Sequence, residues 1–432
     1  MKMRTMLAAG TAMLMCAAGL TACSNDDGGG GGESGGKVEM TFWHNASTGP
    51  GKAFWDDTVA SFMDANPNVT IKVQAIQNED LDGKLQTALN SGDAPDIFLQ
   101  RGGGKMAAMV RANQILDITD LITDETKKLI PAGSFKANEL DGKTYAMPIA
   151  VLPGGLWYSQ DLFADAGITE TPKTIDDLND AVTKLKGIDV APIALGAKDA
   201  WPAAHWYYFF ALRACSPETL ESTANSMKFD DPCWLDAAEN LQDFAATDPF
   251  NQGFLTTSAQ QGAGSSAGLL ANHKAGMELM GAWNPGVIAS LTPDEKPLPD
   301  LGWFPFPEVP GGQGEPGSIL GGVDGYSCSA KAPKEACAAF LNYIATTPVQ
   351  EGYYKAFNAP TVNTESQKII TEPYLKSVLE AYNAAPFVSQ WLDTVYGQNV
   401  GNALNVAIVD LLAGKRDAAG VVQAVNDAAA KA

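Results

Sequence analysis

Between Val38 and Val73 the apolar side chains alternate, then recur at helical spacing, then alternate again. Val38, Met40 and Phe42 point one way with Lys37, Glu39 and Thr41 between them, the period of a half-buried strand. After Trp43-His44-Asn45 and the turn Thr48-Gly49-Pro50-Gly51, the residues Phe54, Trp55, Val59, Phe62 and Met63 keep the period of a helix, which Asn66-Pro67 stops. Val69, Ile71 and Val73 then form a second strand. Strand, crossover helix and strand of this length make a βαβ unit, so the strands run parallel and their sheet needs helices over it. The pattern continues, with a helix from Leu81 to Asn90 and a short buried strand at Asp96-Ile97-Phe98-Leu99. Thr174-Ile175-Asp176-Asp177 opens a helix like a capping box, with Asp in place of Glu, and its stripe Ile175, Leu178, Val182 and Leu185 ends at Gly187. Val400, Ala403, Leu404, Ala407, Ile408 and Leu411 make another stripe before Gly414. These stripes are core. A chain of 432 residues exceeds what one core keeps absorbing, so two α/β lobes are expected.

The N-terminus points to export. Lys2 and Arg4 precede an uncharged apolar stretch from Met6 to Leu20, too short to span a bilayer and closed by Thr21-Ala22-Cys23, as in a secretory signal over residues 1–22. Leu20-Thr21-Ala22-Cys23 resembles the lipobox of bacterial lipoproteins, which implies a diacylglycerol on Cys23. Residues 23–36 are nearly all Gly, Asp, Asn, Ser and Glu and read as a flexible tether. The chain carries 29 basic and 50 acidic residues, a net charge of -21, and loss of Lys2 and Arg4 deepens it. Such acidity argues against nucleic acid or anionic lipid surfaces as partners. With Cys16 in the signal and Cys23 lipidated, Cys215, Cys233, Cys328 and Cys337 remain, an even set suited to two disulfides outside the cell. Three pairings are open; local closure favours Cys215–Cys233 and Cys328–Cys337.

Neither a metal-ligand motif nor a P-loop is found. His44, His205 and His273 sit at no metal-ligand spacing, and there is no Cys-x-x-Cys, so neither a metal nor a cofactor is expected. No P-loop occurs: Gly102-Gly103-Gly104-Lys105 lacks the first glycine and the Ser/Thr of that motif. The positive signal is aromatic. The nine tryptophans are read as lying largely at turns and strand ends: Trp43 after the first strand, Trp201 and Trp206 around Pro202 and His205, Trp283 before Asn284-Pro285-Gly286, and Trp391 after Pro386-Phe387. An indole face with Asn, Gln, Asp or Arg nearby suits the C–H faces and ring hydroxyls of a sugar.

Six segments carry a family resemblance: Thr41-Phe42-Trp43-His44, Gly92 to Phe98, Asp141 to Pro148, Leu156 to Phe163, Met277 to Trp283, and Leu412-Ala413-Gly414-Lys415. In their order and spacing, from residue 37 onward, the chain resembles the extracellular solute-binding proteins of carbohydrate ABC transporters, in the maltose/oligosaccharide-binding group. The resemblance implies a two-lobed periplasmic-binding-protein-like fold. Each lobe is then a mostly parallel sheet flanked by helices, with a ligand cleft at the hinge. The implied segments are 37–150 and 303–345 for lobe 1, and 151–302 and 346–432 for lobe 2. It also implies that Trp283 stacks on sugar. Trp43, His44, Asn45, Gln100, Arg101 and Asp324 then line the cleft, Trp391 closes over ligand, and Trp201, Trp206 and Asn284 join as candidates. Asp96 reads as a structural loop-bonding residue. The cysteines, and the lack of an acid just after Pro148, depart from the maltose-binding pattern.

The expectation is therefore a monomeric, lipid-anchored binding protein on the outer face of the cell membrane, and not an enzyme. It passes a di- or oligosaccharide, with a lean to xylo- or galacto-oligosaccharides, to ABC permease subunits. The competing readings are a binding protein for a non-sugar solute such as a polyamine, and a tethered carbohydrate-active enzyme.

Overall fold

The computed structural model describes residues 36–431, so the signal, Cys23 and nearly all of the tether lie outside the described residues. The opening βαβ unit forms as its periodicity predicts. β1 (Val38–His44) pairs in parallel with β2 (Val69–Ala75) across the helix Gly49–Ala65, and β3 (Ile97–Gln100) joins the other side of β1, also parallel. Asp96, just before β3, accepts bonds from the Thr41 backbone N–H (2.8 Å) and hydroxyl (3.1 Å), which makes it the structural residue expected. A small hairpin of β4 (Glu139–Leu140) and β5 (Lys143–Thr144) follows.

The strand β6 (Met147–Ser159) then runs through the whole body. Its first half, Met147 to Pro153, pairs antiparallel with β10 (Ile319–Cys328). Its second half, Gly154 to Ser159, pairs with β8 (Ala275–Gly281) and β9 (Leu301–Phe304). β7 (Ala191–Ala194) extends the sheet beyond β8 in parallel, and β11 (Val388–Ser389) adds to β10. The order is β2-β1-β3-β10-β6-β8-β7. Parallel pairing thus holds at both ends, and the middle is antiparallel: β10 runs back against β3 and β6, and β8 and β9 run against β6.

Two large cores sit on this sheet. One is built on Met40, Phe42, Trp55, Phe62, Ile149, Val151 and Phe340, the other on Leu178, Leu185, Trp206, Phe210, Trp234, Leu404 and Val421. A smaller cluster, with Leu85, Phe98 and Met106, covers the other face of β3. The C-terminal segment divides between them: Val349 to Val378 packs into the first core, and Trp391 to Val425 into the second. Thr174 and Asp177 form the expected capping box at the helix Ile175–Lys186. Among the described residues no helix is long and apolar enough to cross a membrane.

Both expected disulfides are formed, Cys215–Cys233 and Cys328–Cys337, with sequence separations of 18 and 9 residues. The first joins the end of helix Trp201–Ala214 to the start of helix Cys233–Ala246 inside the second core. The second ties the end of β10 to the helix Lys334–Ile344. Each constrains the unfolded chain, the longer loop more. Replacing Cys215 and Cys233 by alanine should lower unfolding free energy by about 3 kcal/mol, and opening Cys328–Cys337 should cost somewhat less, both read by urea denaturation.

Candidate functional site

Where β6 and β10 pass from one core to the other, three strand glycines leave room for large rings. A Cβ on Gly154 of β6 would stand 2.6 Å from the Trp391 ring, and one on Gly281 of β8 would stand 2.0 Å from that of Trp283. A Cβ on Gly322 of β10 would lie 3.3 Å from Trp391 and 3.8 Å from the Asp324 carboxylate. The glycines therefore seat the two indoles directly on the sheet. Around them, His205 stacks on Trp391 with ring centroids 4.0 Å apart, and Trp283 meets Trp391 edge-on at 5.7 Å. Trp201 completes the group, 6.2 Å from Trp283 and 5.1 Å from His205. Trp201 and Trp283 are only half-buried. Burial pushes His205 down to about 3, so its imidazole is neutral. Its Nδ1 and the Trp201 Nε1 have no hydrogen-bond partner among the described residues.

Beside this wall lies a network of charge. The register shift between Asp324 and Gly325 bulges β10 against β6, and Asp324 is the one residue of that strand that is only half-buried. A bulge at such a place re-aims a side chain, and here Asp324 faces the Arg101 guanidinium at 3.7 Å. Arg101 also donates to Asn78 (2.8 Å) and Asp82 (3.3 Å), and Asn45 donates to the same Asn78 oxygen at 3.1 Å. Lys105 joins Asp82 at 2.8 Å and Asp393 at 3.6 Å, bringing the C-terminal segment to the first lobe. Burial alone would raise the Asp82 carboxyl, but Arg101 and Lys105 outweigh it and hold it well below the usual carboxylate range. For Asp324 burial wins over Arg101, and its carboxyl is raised.

The structure thus brings Trp201, Trp283 and Trp391 together, and Asn45, Arg101 and Asp324 together. The other sequence candidates fall elsewhere. Trp206 is fully buried between Phe244, Phe250 and Phe306 in the second core. His44 is fully buried among Phe42 and Trp55, and burial pushes it down to about 4. Gln100 turns inward, its Oε1 accepting from the backbone of Arg101 and Gly102. Trp43 is half-buried on β1, opposite Gln74 and Phe98. Asn284 is buried and donates to Glu278. Trp55, Trp157 and Trp234 are fully buried as well, so a turn or strand-end position marks only some of the nine tryptophans. A tryptophan in a long parallel-type strand or helix serves the core through its size, whatever residues flank it.

Asn78, Asp82, Lys105, His205, Gln390 and Asp393 were not among the sequence candidates for this site. Lys105 follows the glycine run, and the run has a packing role. Gly102 has φ +75°, and a Cβ on Gly104 would stand 2.3 Å from the Val395 carbonyl, so these glycines let the C-terminal segment close against the helix Gly103–Arg111. Folding also gathers Asp161, His273 and Asp300, which sequence spacing does not suggest; their ligand atoms lie within 4.8 Å of one another. Asp300 there is engaged by His273 Nε2 at 3.0 Å and by the Ser159 hydroxyl, a self-satisfied set.

With this geometry in place, the chain matches the profile of the bacterial extracellular solute-binding proteins over residues 45–351. It is 26% identical over 399 residues to the diacetylchitobiose binding protein DasA of Streptomyces coelicolor, across 89% of this chain and 87% of that one. An uncharacterized ABC transporter extracellular-binding protein of Pyrococcus horikoshii is 28% identical over 275 residues, or 62% of this chain, and the chain spans 60% of that relative's length. A solved chitin oligosaccharide binding protein superposes with a TM-score of 0.83 at 25% identity, over 92% of this chain and 99% of that one. The two-lobed α/β architecture is common to these solute-binding structures.

The charge network sets an acid limit on stability. A carboxylate held below its unfolded value contributes stability above the unfolded pKa and loses it as the pH falls toward the folded one. Asp82→Asn should therefore cost on the order of 2 kcal/mol at neutral pH, and the gap to the natural protein should narrow steadily below about pH 4, as measured by urea unfolding across that range.

Proposed function

This chain belongs to the bacterial extracellular solute-binding protein family, and from that premise we propose that it captures a di- or oligosaccharide for an ABC importer. The observation that carries the reading is the ring cluster Trp201–His205–Trp283–Trp391 beside Arg101, Asn45 and Asp324, at the point where both crossing strands change core. Half-buried indoles offer stacking faces for pyranose rings, and the polar groups alongside offer donors and acceptors to hydroxyls. Trp283 is the principal stacking residue and Trp391 the ring that closes from the C-terminal segment. The neutral His205 and the free Trp201 Nε1–H add groups able to bond a hydroxyl without a charge.

The carboxylates here already face Arg101 and Lys105. A polyamine would compete with those cations, so a neutral, hydroxyl-rich ligand suits the site better. The name of the Streptomyces coelicolor relative brings chito-oligosaccharides into the panel beside the xylo- and galacto-oligosaccharides. In the same reading the protein is a monomer held to the outer face of the membrane by a lipid on Cys23, and it delivers its sugar to the permease by hinge closure.

A thermal-shift panel of chito-, xylo- and galacto-oligosaccharides, monosaccharides and polyamines tests this. A ligand at about a hundred times its Kd adds about 2.7 kcal/mol to the native state, and the sugar should be recovered uncleaved. Response to polyamines alone would overturn the sugar assignment, and consumption of the sugar would make the protein an enzyme. Trp283→Ala should weaken binding of the responding sugar by about 2 kcal/mol or more while leaving urea stability nearly unchanged, by calorimetry and denaturation respectively.

A further inference from the structure

Glu278 stands in the middle of β8, 1% exposed, with Trp157 of β6 and Ala194 of β7 in register on either side. Met277 and Leu279 point into the second core, so Glu278 and Met280 share the opposite face of the strand. There the helices Ser266–Ala271 and Asn284–Leu291 supply its polar neighbours, Ser266 and Asn284. Asn284 Nδ2 donates to Glu278 Oε2 at 2.7 Å. The two remaining atoms of this pair, Glu278 Oε1 and Asn284 Oδ1, are both buried and both without a partner. With an ionised glutamate both are acceptors, and no bond between them exists. A proton on Oε1 makes one the donor that the other lacks, closing a cyclic acid–amide pair.

We propose that Glu278 is held as a neutral acid in such a pair with Asn284, and that this pair positions Trp283 for ligand. Asn284 is bonded directly to Trp283 in the chain, and the Trp283 ring rests on Gly281 three residues after Glu278. Glu278 touches no ligand in this arrangement; it is a positioning residue. Ionisation would bury a charge and leave Asn284 Oδ1 facing it, at a cost relieved only by turning Asn284 and the start of its helix. Among the described residues no charged group acts on the carboxyl: Ser266, Asn284, Trp157 and Ala194 are all neutral, and the helix Trp201–Ala214 packs on the other face. In keeping with this, burial raises Glu278 to about 7, against the opposing effect of the Asn284 hydrogen bond and of the nearby Ser266 hydroxyl, which itself donates to the Ala259 carbonyl. Sugar affinity therefore falls as the surroundings become alkaline.

The functional half of this inference rests on the carbohydrate reading above, so its test has two arms, both on the full chain. In the first, calorimetry with diacetylchitobiose and xylobiose from pH 5.5 to 8.5 should show Kd rising by up to about tenfold per pH unit above about 7. Glu278→Gln replaces the acid by an amide that makes both bonds at every pH; it should bind as tightly as the natural protein at pH 6 and show no rise. A natural protein with flat affinity, or a Glu278→Gln variant with the same rise, overturns the positioning role. The second arm needs no ligand. Infrared difference spectra should show a protonated carboxyl disappearing near pH 7 and absent from Glu278→Gln. The raised carboxyl contributes stability present below its unfolded pKa and lost as the pH climbs through about 7, so urea stability should decline over that interval in the natural protein more than in the variant. If neither sugar binds at any pH, the chito- and xylo-oligosaccharide reading fails and this arm judges the pair alone; no infrared band and parallel stability curves would overturn the pair.

Discussion

The antiparallel pairing of β6 with β10, Met147 to Pro153 against Gly321 to Tyr326, is the contact from which the rest of the body follows. These two strands belong to both cores at once. β6 contributes Ile149 and Val151 to the first and Leu156 to the second, and β10 contributes Val323 to the first and Leu320 to the second. Two covalent crossings bonded to each other hold the lobes in one sheet while leaving few other main-chain links between them. Such a junction can bend as a unit, because φ and ψ changes in two short strand stretches move whole cores.

That placement explains the chemistry of the site. The indoles lie on the sheet because Gly154, Gly281 and Gly322 carry no side chains to exclude them, and the bulge at Asp324 turns one carboxylate out of an otherwise buried strand. The cations that meet the carboxylates come from the first lobe, Arg101 and Lys105, while Asp393 comes from the segment after Trp391. Lys105 to Asp393 thus joins the closing segment to the first lobe through partly desolvated charge, whose strength depends on how far solvent enters. Gln390 adds weak bonds of 3.5 Å to the carbonyls of Arg101 and Ala137. The rings span the two cores, Trp201 packing on the first, Trp391 in the second and Trp283 against both.

Much of this could be read without coordinates wherever a residue's role depends on its neighbours in sequence. The βαβ opening, the capping box at Thr174, the Val400–Leu411 stripe and the two local disulfides all came from spacing, and all are present. Trp283 and Trp391 stood out through the family resemblance and through their places beside Asn284-Pro285-Gly286 and Pro386-Phe387. Trp206 could not be separated from them by that criterion. It shares its stretch with Trp201 and His205, but helix geometry turns it from them into Phe244 and Phe306. His44 and Gln100 sit at strand ends, as a cleft residue should, and the chain's own packing consumes them.

By itself, then, the amino-acid sequence determined the acidity and the α/β class, and it favoured the cysteine pairing that the structure shows. Each of these follows from local period, composition or short-range closure. Only the tertiary structure decided which aromatic rings face one another, that Gly102 to Gly104 is a packing surface for residues near 395, and that Asp82, Asp324 and Asp393 share two cations. It alone brought Glu278 and Asn284 together as a buried pair with two open acceptors. The physical reason is burial. Whether a tryptophan stacks on ligand or on a phenylalanine, and whether a glutamate carries its charge, depends on the solvent and partners around it, which exist only once distant strands have met.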